Sequence, residues 1–204
     1  MSRPLLIGIT GGIGSGKSTI SRFFEVLGVP VYYSDDRGKY LMVHDDSLIA
    51  QIKSTFGDQS YFDDGRLNRA YLASEVFSNE KKLTTLNGFV HPAVGRDFEN
   101  WVEKNAGEPY LLKEAALLFE AGIYQQLDKT ICVMASRRLR IERVLLRDEQ
   151  RSKQEIEDIM AKQVSDGQRK KLADFLVDND GNELLIPQVL KIHQQLLNLA
   201  RQAV

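Results

Sequence analysis

Short apolar runs alternate along the chain with stretches in which apolar residues recur every three or four positions, the signature of strands and helices taken in turn. "LLIGIT" over 5–10 has no polar break before Thr10 and predicts a parallel strand buried on both faces. "KSTISRFFEVLG" follows with Ile20, Phe23, Phe24 and Leu27 at helical spacing and Gly28 to close the helix. "VPVYY" is a second short strand, so strand, helix and strand form a right-handed βαβ unit. "PYLLKEA" and "KTICVMAS" predict two further buried strands, and "DFLVDNDG" a fifth that Asn-Asp-Gly turn chemistry cuts off. "IPQVLKIHQQLLNLARQAV" is the closing amphipathic helix. The class is α/β.

Two stretches break the alternation. Between Arg37 and Asn105, "LIAQIKSTF", "NRAYLASEVF" and "KKLTTLNGFVHPAVGRDFENWVEK" carry helical periodicity and little strand signal. That is too long for a simple crossover and predicts a helical insertion over 37–105, leaving 1–36, 106–135 and 166–204 as the core. The second stretch, 136–165, predicts two charged helices. Ser152 with Glu155 forms a capping box at the start of the second, and Ser165 with Gln168 starts the helix after it.

The bulk numbers narrow the function classes. With 204 residues the chain has room for one substantial core or for one core with a small appended piece. Lys plus Arg number 27 against 28 for Asp plus Glu, so no global field recruits nucleic acid or an acidic membrane, and any basic site is local. The single cysteine, Cys132, excludes an internal disulfide and sits in the buried-strand run "TICVM", which marks it as core packing rather than a nucleophile. No secretory signal or membrane span stands out, so a cytoplasmic location is expected.

The run between the first strand and the first helix, "GGIGSGKS" at 11–18, fits G-x-x-x-x-G-K-[ST]. Glycines let successive backbone N–H groups turn inward as an anion nest, and the helix beginning there adds its positive dipole end. Gly12, Ile13, Gly14, Ser15, Gly16, Lys17, Ser18 and Thr19 are therefore the expected ATP contacts. Lys17 is expected to reach the β- and γ-phosphates, and Ser18 to join the Mg²⁺ shell. A GTPase base-reading Asn-Lys-x-Asp and a transporter-type Leu-Ser-Gly-Gly are absent, which favours a small-molecule kinase.

Geometry adds an acid. The helix over 16–27 advances ~18 Å, and the strand over 29–33 returns ~17 Å. "SDD" is thus expected at the sheet edge that carries the glycine loop, where open α/β sheets bind ligands. Asp35 there orients an acceptor hydroxyl, takes its proton or holds Mg²⁺ through water; the alternative is that Ser34, Asp35 and Asp36 only start the next helix. Arg143, Arg147 and Arg151 recur at i, i+4 and i+8, either as a solvated face or as an arginine-bearing lid that neutralises phosphoryl charge, with Arg137 and Arg138 as surface charges.

At this point the chain resembles the dephospho-coenzyme A kinases nearly end to end, in "GITGGIGSGKST", "LGVPV" followed by Asp35, "DGRLNRAYLASEVF", "HP" at His91, "LLFE" at Leu117 to Glu120, "RVLLRD" and "ADFLVDNDG". The resemblance implies a P-loop kinase core of five parallel strands, a helical substrate-binding domain and a helical lid. It implies ATP-dependent phosphorylation of the ribose 3′-hydroxyl of dephospho-coenzyme A, with Mg²⁺. It gives Asp35 the catalytic acid position and places Asn68, Arg69 and His91 in the domain expected to hold the acceptor. His91 also reads as a pre-proline residue at a helix start, and Arg69 as a surface charge. Two departures stand out: Tyr33 takes the place of the first acid of an Asp-x-Asp, and "KEAA" precedes "LLFE", leaving the roles of Lys113 and Glu114 open. The rivals are a shikimate-type kinase and a nucleotide-gated regulator without chemistry.

Overall fold

The computed structural model describes residues 3–77 and 79–202, so the last two residues of the predicted closing helix lie outside the described part. The chain forms two compact units, one from residues 1–33 and 105–204 and the other from Ser34–Lys104.

The first unit is built on β1 (Leu5–Thr10), followed by α1 (Lys17–Val26) and β2 (Val31–Tyr33). β2 is shorter than "VPVYY" suggests because Pro30 has no N–H to donate to a ladder, while its carbonyl still accepts from the Leu112 amide at 3.0 Å.

The second unit consists of α2 (Ser34–His44), α3 (Asp46–Phe56), α4 (Arg69–Phe77) and α5 (Glu80–Lys104). Asp45 caps α3 by accepting from the Leu48 amide at 2.9 Å. Leu41, Leu48, Ile52, Phe56, Tyr61, Leu72 and Ala93 close a small core of their own. Buried Tyr61 and half-buried Tyr71 keep their hydroxyls satisfied: Tyr61 donates to the Met42 carbonyl at 2.7 Å and Tyr71 to the Phe56 carbonyl at 2.8 Å. α5 runs without interruption through Pro92, so His91 sits mid-helix and exposed rather than at a helix start. Ala93 and Phe98 anchor the helix by burial beyond the missing hydrogen bond.

The chain returns to the first unit through β3 (Tyr110–Glu114) and β4 (Lys129–Met134), then α6 (Arg137–Arg147), α7 (Lys153–Ala161), α8 (Asp166–Leu172), β5 (Phe175–Asp178) and α9 (Leu185–Gln202). All four strand pairings are parallel, in the order β2-β3-β1-β4-β5. The strands are continuous apolar runs because both faces are covered: Ile7, Ile9, Leu112, Ile131 and Val177 pack with Ile20 and Phe24 of α1 and Val189, Ile192 and Leu196 of α9. Both capping boxes form as the sequence indicates.

Cys132 is fully buried in β4, and burial pushes its thiol up to about 12. The native protein is expected to resist iodoacetamide at neutral pH and to take up one label only on unfolding in urea. Labelling at the folded protein's surface rate, read by mass spectrometry, would contradict that placement.

Candidate functional site

Strand register fixes what reaches the carboxyl edge of the sheet. Glu114 of β3 pairs with Ile9 of β1 and with Tyr33 of β2, and Thr10 pairs with Cys132 of β4. Directly after Thr10 the chain enters the glycine loop. Gly14 and Gly16 adopt φ of +76° and +91°, the left-handed region that L side chains rarely enter. A Cβ would also meet the Arg140 carbonyl oxygen at 2.4 Å from position 14 and the Asn179 amide nitrogen at 2.3 Å from position 16. α1 then starts with no acidic residue in its first turn and no side-chain cap on its N–H groups. Its N-terminus therefore offers open donors and an uncompensated positive dipole end, an anion site by construction.

Residues 12 and 14–19 line a cavity of about 150 Å³ together with Arg143 and Arg147. Ile13 is not part of that lining; its amide donates to the Gln163 side chain at 3.0 Å, and its side chain packs on Ile141, Val144 and Ile156. Lys17 rests 3.3 Å from the carboxylate of Glu114, whose side chain is 6% exposed, so the two charges hold each other at the floor of the site. Ser18 is exposed at its lip.

The two arginines are held differently. Arg143 donates to the Asn179 carbonyl at 2.9 Å and to its side-chain oxygen at 3.2 Å, with a longer contact of 3.5 Å to the Ser15 carbonyl. Arg147 is exposed at the cavity wall one turn further on. Arg151 does not continue their row. No apolar residue lies between Leu146 and Ile156 to bury a face, so α6 stops at Arg147 and Arg151 pairs with Asp148 at 2.6 Å. Arg137 and Arg138 are exposed and pair with Glu157 and Glu142, each at 2.9 Å.

Three contributions escaped the sequence. Asn179, 8% exposed, donates its side-chain amide to the Ser15 carbonyl at 2.8 Å and so braces the loop from the end of β5. Asp180 accepts from the Ser136 amide at 2.5 Å, which holds its carboxyl below the usual range and places a negative charge at the start of α6. Behind the loop, buried Arg140 and Arg169 share Asp166 at 3.3 and 3.0 Å. Burial lowers the Arg140 pKa, and Asp166 works against that shift.

The remaining predicted residues belong to the other unit. Asp35 and Asp36 occupy the first turn of α2; Asp35 is exposed, and Asp36 pairs with Lys39 at 2.8 Å. Asn68 accepts from the Tyr71 amide at 3.2 Å at the start of α4, where Arg69 is exposed. His91 lies on the exposed side of α5.

Among the described residues no three His, Cys, Asp or Glu side chains are grouped to hold a metal by themselves. A hydroxyl at the lip of an anion nest, supplemented by phosphate oxygens and water, is the donor set that suits Mg²⁺, which keeps much of its hydration and takes few protein ligands. The residues fit that ion. No helix among the described residues is long and apolar enough to cross a membrane.

Known proteins place this arrangement. The sequence profile of the dephospho-CoA kinase family matches residues 5–184. A dephospho-CoA kinase of Bacteroides fragilis is 37% identical over 186 residues, covering 91% of this chain and 90% of its own. A crystal structure of a Thermus thermophilus protein superposes with a TM-score of 0.82 at 29% identity, over 95% of this chain and 98% of that one. The dephospho-CoA kinase of Campylobacter jejuni has the same fold, with a TM-score of 0.71 at 22% identity over 95% of this chain and 97% of its own. The glycine loop on the central strand is thus one part of a likeness that runs almost from end to end, and the chain belongs to the dephospho-CoA kinase family.

Proposed function

We propose that the phosphotransferase activity of this family is carried here by Lys17, Ser18, Arg143 and Arg147, with Asp35 as the acceptor-side acid. The reaction is ATP-dependent phosphorylation of dephospho-coenzyme A to coenzyme A, the last step of coenzyme A biosynthesis. The acceptor atom is the ribose 3′-hydroxyl. The observation that carries the assignment is the cavity in which an open helix N-terminus, Lys17 and two arginines converge.

Little covalent chemistry falls to the protein in phosphoryl transfer; position and charge decide the rate. The N–H groups of residues 14–18 cradle the phosphates, and Lys17 exchanges Glu114 for the β- and γ-oxygens. Arg143 keeps the loop in shape through Asn179 and adds positive charge. Arg147, free of the tether that holds Arg143, reaches the transferring group. The Ser18 hydroxyl, with Asp35 through water, would hold Mg²⁺, and the ion would supply neutralisation of phosphate charge. Asp35 orients the acceptor hydroxyl and accepts its proton. Asn68, Arg69 and His91 supply acceptor contacts from the helical insertion, and 136–165 acts as the lid.

Purified protein with ATP, Mg²⁺ and a panel of acceptors including dephospho-coenzyme A and shikimate tests the assignment directly. ADP release only with dephospho-coenzyme A supports it; turnover of shikimate, or of no acceptor, rejects it. Arg147→Ala is expected to lower kcat by roughly 10²-fold with ATP binding little changed, as for an arginine that acts on the transition state. Equal turnover of parent and variant would leave Arg147 as a solvated surface charge.

A further inference from the structure

We infer that Gln163 is a positioning residue that sets the first peptide plane of the phosphate loop. The Gly12–Ile13 peptide is held at both ends: its N–H, on Ile13, donates to Gln163 Oε1 at 3.0 Å, and its carbonyl, on Gly12, accepts from the Ser15 amide at 3.0 Å. A peptide unit is rigid and planar, so fixing both groups fixes its rotation, and with it the Gly12-to-Ser15 turn that aims the following N–H groups. Were that plane to flip, the Gly12 carbonyl would lose Ser15, and Gln163 Oε1 would face a carbonyl oxygen instead of its donor.

Gln163 is itself well anchored. Its own amide donates to the Met160 carbonyl at 3.2 Å at the end of α7, and the next residue, Val164, donates to Glu120 at 2.9 Å. Glu120 is in turn 3.4 Å from buried Arg169. Ile13 completes the link by packing against Ile141, Val144 and Ile156, with Met160 on the same cluster. The loop tip is therefore seated on α6 and α7 by one directional bond and one apolar plug. A movement of α7 that withdraws Gln163 withdraws the restraint on the loop.

The inference rests on residues 11–18 being the phosphate loop, and Lys17→Ala serves as the control for that reading. Gln163→Leu removes the acceptor and keeps the bulk; Gln163→Glu keeps an acceptor oxygen. Gln163→Leu is expected to raise KM for ATP by roughly 3- to 10-fold, the range one net hydrogen bond supports, with KM for the acceptor within about 2-fold. Gln163→Glu is expected to keep the Ile13 bond, while its added negative charge raises KM for ATP on its own account. The Ile13 amide, followed by NMR, should lose exchange protection in Gln163→Leu and keep it in Gln163→Glu. Gln163→Met, similar in length and without the carbonyl, stands in should Gln163→Leu not fold. Parent-like KM for ATP in the apolar variants, equal loss of Ile13 amide protection in Gln163→Leu and Gln163→Glu, or a parallel rise in both KM values in Gln163→Leu would each overturn the proposal. If Lys17→Ala also kept the parent's ATP kinetics, the phosphate-loop reading itself would fall.

Discussion

Lys17→Ala is expected to cut turnover of dephospho-coenzyme A by at least roughly 10²- to 10³-fold, the loss that follows removal of one preorganised charge from a phosphoryl or oxyanion site. The ammonium lies at the floor of the nest, 19% exposed and 3.3 Å from Glu114, so its position is set before nucleotide arrives. Preorganisation is what makes the charge effective, because no reorientation is needed during transfer. The substitution has a second effect. The ion pair with buried Glu114 is lost, and breaking a contact between a cation and a buried carboxylate weakens the folded state. Lys17→Ala is therefore expected to melt below the parent. Calorimetry beside steady-state kinetics separates the two effects. A single variant with parent kcat and KM for ATP would remove Lys17 from the phosphate site.

Asp35→Asn is expected to leave thermal stability and ATP affinity nearly unchanged and to lower kcat by roughly 10²- to 10⁴-fold, the usual contribution of a positioned general base. The stability side follows from the local structure. Asp35 is exposed in the first turn of α2, where a negative charge gains about 0.3–1 kcal/mol from the helix dipole. The catalytic side follows from its being a carboxylate two residues past the end of a strand whose last residue pairs with Glu114. Asp36→Asn is the matched control. It sits in the same turn, with its charge spent on Lys39, and is expected to retain parent turnover. A loose phosphoryl transition state needs little help from a base. A loss near the lower bound would then mean that Asp35 chiefly orients the hydroxyl. Parent-like turnover in Asp35→Asn would reduce it to a first-turn acid.

What the sequence displayed was local. The five strands, the glycine loop and both capping boxes are written in neighbouring residues, and each forms where the pattern puts it. Gly14 and Gly16 could be read because positive φ has a residue signature. Ends set by competition were harder. Pro92 suggests a break in α5, yet burial of Ala93 and Phe98 carries the helix through it. The arginine spacing suggests a longer α6 than the apolar residues can support. The loop's supports left no trace in the pattern at all. Asn179 meets Ser15 across 164 residues of chain and Gln163 meets Ile13 across 150, and each looks in the sequence like an ordinary turn or helix-end residue. Lys17 and Glu114 were both visible as groups of interest, but their ion pair depends on strand order, which no residue of either states by itself.

The parallel order β2-β3-β1-β4-β5 also determines when this protein can fold as it is synthesised. β1 leaves the ribosome first, yet its partners are β3 and β4, whose first pairing residues are Tyr110 and Lys129. The intervening Ser34–Lys104 unit has its own core and finds its contacts within itself, so it is the first part able to complete. Closing a long loop costs entropy only logarithmically in its length, and a loop that has already condensed costs less than an open one. The early helical unit thus shortens the effective span that β1 has to bridge, while "LLIGIT" waits as an unpaired apolar strand, the species most exposed to wrong partners. Exposure of the nascent chain to wrong partners is thus expected to centre on β1 until both β3 and β4 have emerged.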